Sequence, residues 1–281
     1  MPEAQRPLIL DFGLHQGEDT EFYLACGADV IAFEANGALV DSNNARFAEE
    51  IASGRLRLVA GAIVQPGFDK PEITFYLDEQ KSVWGTTSED WAARNATLGT
   101  QRRSVTVRAV DLSAILTAKR DIYYAKVDIE GADHHVLDAF AITGARPEFL
   151  SIESDKEELG NVIAEIESLQ DLGFTRFAAV QQASIPGTKV TLRNFEGDQF
   201  RFRFRDHSSG PFGPFLQQDY KTAGNVIDEY RAIFRRYETF GDRSWLMSHR
   251  LSRLPTRAVN KLLVKSLRKP LCGWYDTHAA A

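Results

Sequence analysis

Asp11 and Glu34 stand 23 positions apart on either side of a glycine-bearing segment, Gly13-Leu14-His15-Gln16-Gly17. An acidic residue about 20 positions beyond such a turn, at the tip of the next strand, accepts hydrogen bonds from ribose hydroxyls. Gly13 and Gly17 carry no Cβ, so the chain can turn sharply there and a ligand can come close to the main chain. Asp19 and Thr20 fall where a helix begins, and the free N–H groups of its first turn would face the same crevice. Ala35 and Asn36 follow Glu34 on the strand tip. Further on, Ala60-Gly61-Ala62 is small enough for an adenine ring to lie against it, or for another element to pack there. Together these residues describe an adenosine site. The turn lacks the G-x-G-x-x-G pattern that brings backbone onto a pyrophosphate, which argues against NAD or FAD. S-adenosylmethionine has ribose and adenine but no phosphate, and suits it.

A second group is rich in carboxylates. Asp128, Glu130 and Gly131 leave the apolar run Tyr123 to Val127, and Glu153 closes another, Glu148 to Ile152. Ligands of open α/β sheets bind off the carboxyl ends of strands, so the three acids would stand on neighbouring strand tips. Crowded carboxylates raise one another's pKa, and one of them could accept a proton from a hydroxyl. With His134 or His135 they could instead hold a divalent cation. The plainer alternative is that Asp128 caps the following helix and the histidines are solvated. The reading taken forward gives catalytic roles to Asp128, Glu130, His134 and Glu153, lets Asp128 also touch the cofactor, and assigns no metal.

The elements that must position these groups follow from periodicity. Leu8 to Asp11 reads as a buried strand, Glu18 to Cys26 as a helix and Val30 to Phe33 as a second strand, half of a nucleotide-binding βαβ unit. Asn36 caps a helix running to Ser53, and Arg55 to Val64 alternates as a third strand. Ile73 to Leu77 and Val105 to Val110 are strands around a long polar connection in which Ser82, Trp84 and Thr86 would line a substrate mouth, or Trp84 would instead cover the sheet edge. Asp111 caps a short helix, and Lys156 to Leu172 is amphipathic. Phe174 to Val180 and the hairpin Lys189 to Arg205, turning at Asn194 to Asp198, supply the closing strands. Strict alternation there buries Phe200, Phe202 and Phe204 and leaves Arg201, Arg203 and Arg205 on a solvated face.

The 281 residues, 43% hydrophobic and 26% charged, can bury a substantial α/β core. Cys26 and Cys272 form neither a disulfide framework nor a zinc motif. No apolar run approaches a membrane span and no signal pattern opens the chain, so a cytoplasmic protein is expected. Charge is uneven: residues 219–281 hold 12 Lys/Arg against 6 Asp/Glu, whereas the whole chain carries a net −6. Residues 243–269 form a basic amphipathic pattern interrupted by Pro255, expected to bind a membrane surface, a partner subunit or the acidic body. Gly273-Trp274-Tyr275-Asp276 would fold back as an aromatic lid. The acidic body argues against a nucleic-acid partner.

The segments LILDFGLHQGEDT, VIAFEAN and YAKVDIEGADHHVL resemble the FkbM family of S-adenosylmethionine-dependent methyltransferases, with D-V-G-A-N-x-G-x-x-T, A-F-E-P-N and K-I-D-V-E-G-A-E as the family's patterns. The resemblance covers about residues 8 to 155. It implies a class I methyltransferase fold, a Rossmann-like seven-stranded, mostly parallel sheet with the last strand antiparallel, and O-methylation of a sugar or polyketide hydroxyl. Asp11, Gly13, Gly17 and Glu34 fall on its cofactor positions, and Asp128, Glu130 and Gly131 on its Asp-x-Glu-Gly motif. Leu14-His15 replaces the family's Ala-Asn, and Ala35 its proline. His15 would take over the asparagine's contact with the methionine end of the cofactor, or reach the substrate. The loop His207 to Phe215 resembles a segment of glycan-associated members and turns the expectation toward a saccharide acceptor. A methyltransferase domain at 1–218 with a basic helical extension at 219–281 is the resulting expectation. A non-catalytic glycan-pathway scaffold docking through the basic tail is the competing one.

Overall fold

The computed structural model describes residues 6–78, 85–87, 102–118, 121–240 and 272–281. Seven strands form the main sheet, in the order β3-β2-β1-β7-β8-β12-β9. These are β1 (Leu8–Phe12), β2 (Asp29–Glu34), β3 (Leu56–Ala60), β7 (Ile122–Val127), β8 (Phe149–Glu153), β9 (Arg176–Gln181) and β12 (Tyr275–Ala280). A three-stranded sheet joins β4 (Ala62–Ile63), β6 (Arg102–Val110) and β5 (Glu72–Asp78), and β10 (Lys189–Arg193) pairs with β11 (Gln199–Arg203). The described helices are α1 (Glu18–Ala25), α2 (Gly37–Arg46), α3 (Ala48–Ala52), α4 (Ser113–Ala118), α5 (Asp133–Thr143), α6 (Leu159–Asp171) and α7 (Ala223–Phe240).

The chain divides into two compact units, Met1–Leu150 with Thr191–Phe202 and Ser151–Val190 with Arg203–Ala281. In the first, β1 pairs in parallel with both β2 and β7, and β2 with β3. Helices cover both faces of a parallel sheet, so its strands read as continuous apolar runs. Ile9, Leu10, Phe12, Ile31, Phe33, Tyr124 and Val127 are all buried. Phe12 stacks on Phe33 with ring centroids 4.7 Å apart. Two charged residues, Asp11 and Lys126, break that pattern, and both are buried. The Phe200 and Phe202 rings lie 6.2 and 5.0 Å from that of Phe22 on α1, which is why this hairpin alternates. Both phenylalanines are half-buried, and Arg201 and Arg203 are exposed.

In the second unit β12 runs antiparallel to β9, from Tyr275 opposite Gln181 to Ala280 opposite Arg176. Val162, Ile166 and Leu169 of α6 and Val226, Tyr230 and Ile233 of α7 are buried at helical spacing. Ser154, Tyr230 and Thr277 close a ring of buried hydroxyls at 2.6 to 2.8 Å.

Three expectations are corrected. The third strand does not run through to Val64: it breaks at Gly61, and Ala62–Ile63 leaves the main sheet to pair with β6. The helix expected to reach Ser53 stops at Phe47, whose φ of −106° and ψ of 29° are not helical, and restarts as α3. Tyr275 and Asp276 are no lid: they open β12, whose following residues are buried on both faces because helices need a filled sheet beneath them. Among the described residues, the stretch after residue 218 supplies one helix, α7, and one strand, β12; residues 243–269, Ser82 and Trp84 lie outside them.

Candidate cofactor and acceptor site

β1 ends at Phe12 and the chain turns at once. Gly13 and Leu14 donate their N–H groups to the Phe33 carbonyl, 3.2 and 3.0 Å, locking the turn to the end of β2. Gly13 has φ +95°, and a Cβ there would lie 1.9 Å from the Asp128 carbonyl oxygen. The glycine is therefore demanded by the protein's own loop after β7. Gly17 is the N-cap of α1, and a Cβ there would meet the Phe47 ring and lie 2.7 Å from Asn43 Oδ1. His15 lies between them with φ +51°. Its carbonyl accepts from the Asn43 side chain at 2.7 Å, and its Nδ1 is 3.1 Å from Glu18 Oε1. Burial pushes the Glu18 carboxyl up, but the bond to His15 and its charge outweigh this and hold it below the ordinary range.

Glu34, half-buried at the tip of β2, is fixed at both oxygens: Oε2 accepts the His15 N–H at 2.9 Å and Oε1 the Asn36 N–H at 2.8 Å. Each oxygen keeps a second acceptor position. Burial raises the Glu34 pKa, and the backbone N–H groups of Asn36, His15 and Ala35, with the His15 ring, oppose that. Asn36 also accepts from the Ala38 N–H, capping α2 as expected. Ala35 is half-buried beside them.

Below this turn lies a cluster that spacing alone does not reveal. Lys126 Nζ donates to the Gly13 carbonyl at 3.0 Å and stands 3.4 Å from Asp128 Oδ2 and 3.7 Å from both Asp11 Oδ1 and Asp19 Oδ2. Burial pulls the ammonium pKa down, but Asp128, Asp11 and Asp19 together carry it well above the ordinary lysine value. Thr20 Oγ1 donates to Asp11 Oδ2 at 2.6 Å, while Asp11 Oδ1 has no hydrogen-bond partner among the described residues. Burial drives the Asp11 carboxyl up to about 7, against the pull of Lys126. Asp11 and Thr20, both expected at the cofactor, expose no surface.

The loop after β7 carries the acids expected to handle the acceptor. Asp128 is two-fifths exposed, and Glu130, with φ +49°, is half-buried. Asp128 does not cap α5. Asp133 braces the loop instead, accepting the Ile129 N–H at 3.0 Å and the Gly131 N–H at 3.2 Å. Thr86 is buried and donates to the Glu130 carbonyl at 2.7 Å, so it supports the loop rather than lining a mouth. His134 is exposed on α5 with its ring 4.0 Å from that of His135, and among the described residues no hydrogen bond joins it to Asp128 or Glu130. Glu153 closes β8 and belongs to the second unit. Gly61 and Ala62 are buried, and a Cβ on Gly61 would lie 2.5 Å from the Arg108 carbonyl oxygen, so the small residues admit β6. In the second unit Ser208, Ser209 and Phe212 of the loop His207 to Phe215 are packed inside.

The sequence reading missed Lys126 and the roles of Asp19 and Asp133. A lysine within an apolar run, two positions before Asp128, was the available signal, since alternate strand residues share a face.

A seven-stranded, mostly parallel sheet with its last strand antiparallel, and acids at the tips of β2 and β7, defines an α/β methyltransferase fold. Residues 11–175, more than half of the chain, match the Methyltransferase FkbM domain, and the protein belongs to that methyltransferase family. Among curated proteins none matches the chain. Similar solved structures include the precorrin-6y C5,15-methyltransferase of Geobacter metallireducens, at 12% identity and a TM-score of 0.35 over 72% of this chain and 77% of that one. An rRNA methylase of Streptococcus thermophilus shares 14% identity, TM-score 0.32, over 70% and 84%. The O-methyltransferase TomG of Streptomyces achromogenes, solved with S-adenosylmethionine, shares 12%, TM-score 0.32, over 70% and 71%. Likeness at this level reaches neither a residue nor a substrate.

Proposed function

We propose that the protein is an S-adenosylmethionine-dependent O-methyltransferase whose acceptor is a hydroxyl of a saccharide. The observation that carries the cofactor reading is Glu34. Its carboxylate is held at the tip of β2 by two backbone N–H groups, with acceptor positions left for a pair of vicinal hydroxyls such as those of ribose. The residues fit the cofactor otherwise: the Gly13 to Gly17 turn, tied to Phe33, offers a fixed backbone surface for the amino-acid portion. When bound, the cofactor supplies a methyl group already activated on a positively charged sulfur. What remains for the chain is to orient the acceptor and take its proton. Asp128, exposed on one side and anchored by Lys126 on the other, would accept that proton, with Glu130 on the same loop as second acceptor or as a hydrogen-bond partner of the sugar. Asp11, Thr20 and Lys126 hold the turn and the loop in register. The saccharide part rests on the sequence likeness of residues 207–215 to glycan-associated members of the family.

Calorimetric titration with S-adenosylmethionine and with NAD, beside Glu34→Ala, tests the cofactor. Micromolar binding of the former, weakened at least about tenfold by the substitution, is expected, since a charge-assisted bidentate contact is lost. Binding of NAD alone would overturn the reading. Transfer of a labelled methyl group to glycans tests the acceptor, and labelling of small-molecule hydroxyls but of no glycan would move it from sugars.

A further inference from the structure

We propose that the Asp11, Lys126 and Asp128 cluster, with its carboxylates ionised, gives the site a surplus negative charge that makes it bind the sulfonium donor more tightly than the thioether product. The inference rests on the cofactor reading above and deepens it.

The charge count comes from the geometry. One ammonium, Lys126, faces Asp11 Oδ1 at 3.7 Å and Asp128 Oδ2 at 3.4 Å, so once Asp11 has given up its proton, as at about pH 8, two carboxylates exceed it before Asp19 is considered. Asp11 Oδ1 is fully buried and has no hydrogen-bond partner among the described residues, so its charge is answered only at a distance. Burial of a carboxylate in that condition is costly unless a cation offsets it. The protein keeps the cost directly under the turn: the same ammonium donates to the Gly13 carbonyl, so anything lying on that turn is one peptide away from the cluster.

S-adenosylmethionine carries a sulfonium, an ammonium and a carboxylate, a net charge of +1. S-adenosylhomocysteine keeps only the last two and is neutral overall. In the transfer, the acceptor oxygen bonds to the methyl carbon as the carbon–sulfur bond breaks, its electron pair staying on sulfur, and the hydroxyl proton passes to the Asp128 carboxylate. The site thus loses one positive charge on the ligand and gains one on its own acid, so the surplus that favoured the donor is cancelled by turnover and no longer holds the product. A neutral site would bind donor and product alike, and product would then compete at every cycle.

The experiment is calorimetric titration of the full-length protein with donor and with product at about pH 8, comparing wild type with Asp11→Asn. Asp11 exposes no surface, so the substitution removes charge without removing a ligand contact. The wild type is expected to prefer the donor, and the variant to lose roughly fivefold of that preference, as expected for one unit charge acting through a part-buried medium. The loss should fall on donor affinity, with product affinity unchanged. An unchanged donor-to-product ratio overturns the proposal while leaving the cofactor reading intact; binding of neither ligand by the wild type overturns both. If thermal denaturation shows Asp11→Asn unfolded, Asp128→Asn carries the same charge change at a position that is two-fifths exposed, and the same ratio decides.

Discussion

At Asp128 one carboxylate oxygen, Oδ2, is 3.4 Å from a buried ammonium, and the side chain as a whole is two-fifths open to what approaches. Asp128→Asn keeps the shape and removes the proton acceptor, so turnover should fall roughly 100-fold or more, with donor affinity down no more than about fivefold. Glu130→Gln should also slow transfer with donor affinity kept. Single-turnover rates with a labelled methyl donor check both, and unchanged rates in the pair would remove the loop from the chemistry. Asp11 makes a prediction about stability. Its folded pKa, about 7, lies above the ordinary 3.8, so the folded state keeps a proton that the unfolded chain gives up. The associated stability is present below pH 3.8 and is lost as pH rises toward 7. Asp11→Asn cannot titrate, so its stability relative to wild type should climb across that window by about 4 kcal/mol at most. Urea midpoints measured from pH 4 to pH 8 would show it, and a constant difference between the two proteins would refute the assigned proton.

Elements meet at Gly13, where the end of β1 passes within contact of the loop after β7. Gly13→Ala would set a methyl group 1.9 Å from the Asp128 carbonyl oxygen at φ +95°, and neither atom belongs to a flexible side chain. A loss of about 3 kcal/mol or more is expected. Gly37→Ala, at the start of α2 with nothing within 4 Å of the new carbon, should cost nothing and gain up to about 1 kcal/mol. Thermal melts of the two variants side by side separate the steric argument from a general sensitivity of glycines. What the sequence made legible at this scale was local: Asn36 capping α2, Asp111 accepting the Ser113 N–H at 2.9 Å, and Glu34 closing β2 are each written within a few positions. What escaped depends on distant partners. Lys126 looks like an interruption of an apolar strand until Asp11 and Asp19, more than a hundred positions earlier, are placed beside it. The break of the third strand at Gly61 depends on Arg108, and Asp133 outcompetes Asp128 as a loop brace through geometry that neither neighbour announces. The pairing of Tyr275–Ala280 with β9 spans about a hundred residues, and nothing in a six-residue segment names that partner.

At the scale of the whole molecule, acid and base push stability in opposite senses. Against the Asp11 effect stands His278, in the middle of β12, whose ring nitrogens are both buried without a hydrogen-bond partner among the described residues. Burial lowers its pKa from 6.5 to about 3, so the folded protein holds it neutral while the unfolded chain takes up a proton below pH 6.5. Its contribution is present above pH 6.5 and is lost as pH falls toward 3. His135, lowered to about 4 by burial and by His134, acts in the same direction. Between pH 6.5 and 5 the His278 term alone comes to about 2 kcal/mol. A strand buried on both faces gains nothing from an unpaired imidazole, since its nitrogens were desolvated without recompense. His278→Leu, of similar size and without those nitrogens, should therefore match or exceed the wild type near pH 7.5, where a core substitution ordinarily destabilises, and its advantage should widen as pH falls. Urea unfolding followed by circular dichroism at pH 7.5 and pH 5 gives the two differences. A loss of more than about 2 kcal/mol at pH 7.5 would mean that the imidazole has a partner that repays its burial, and the neutral, unpaired histidine would have to be abandoned.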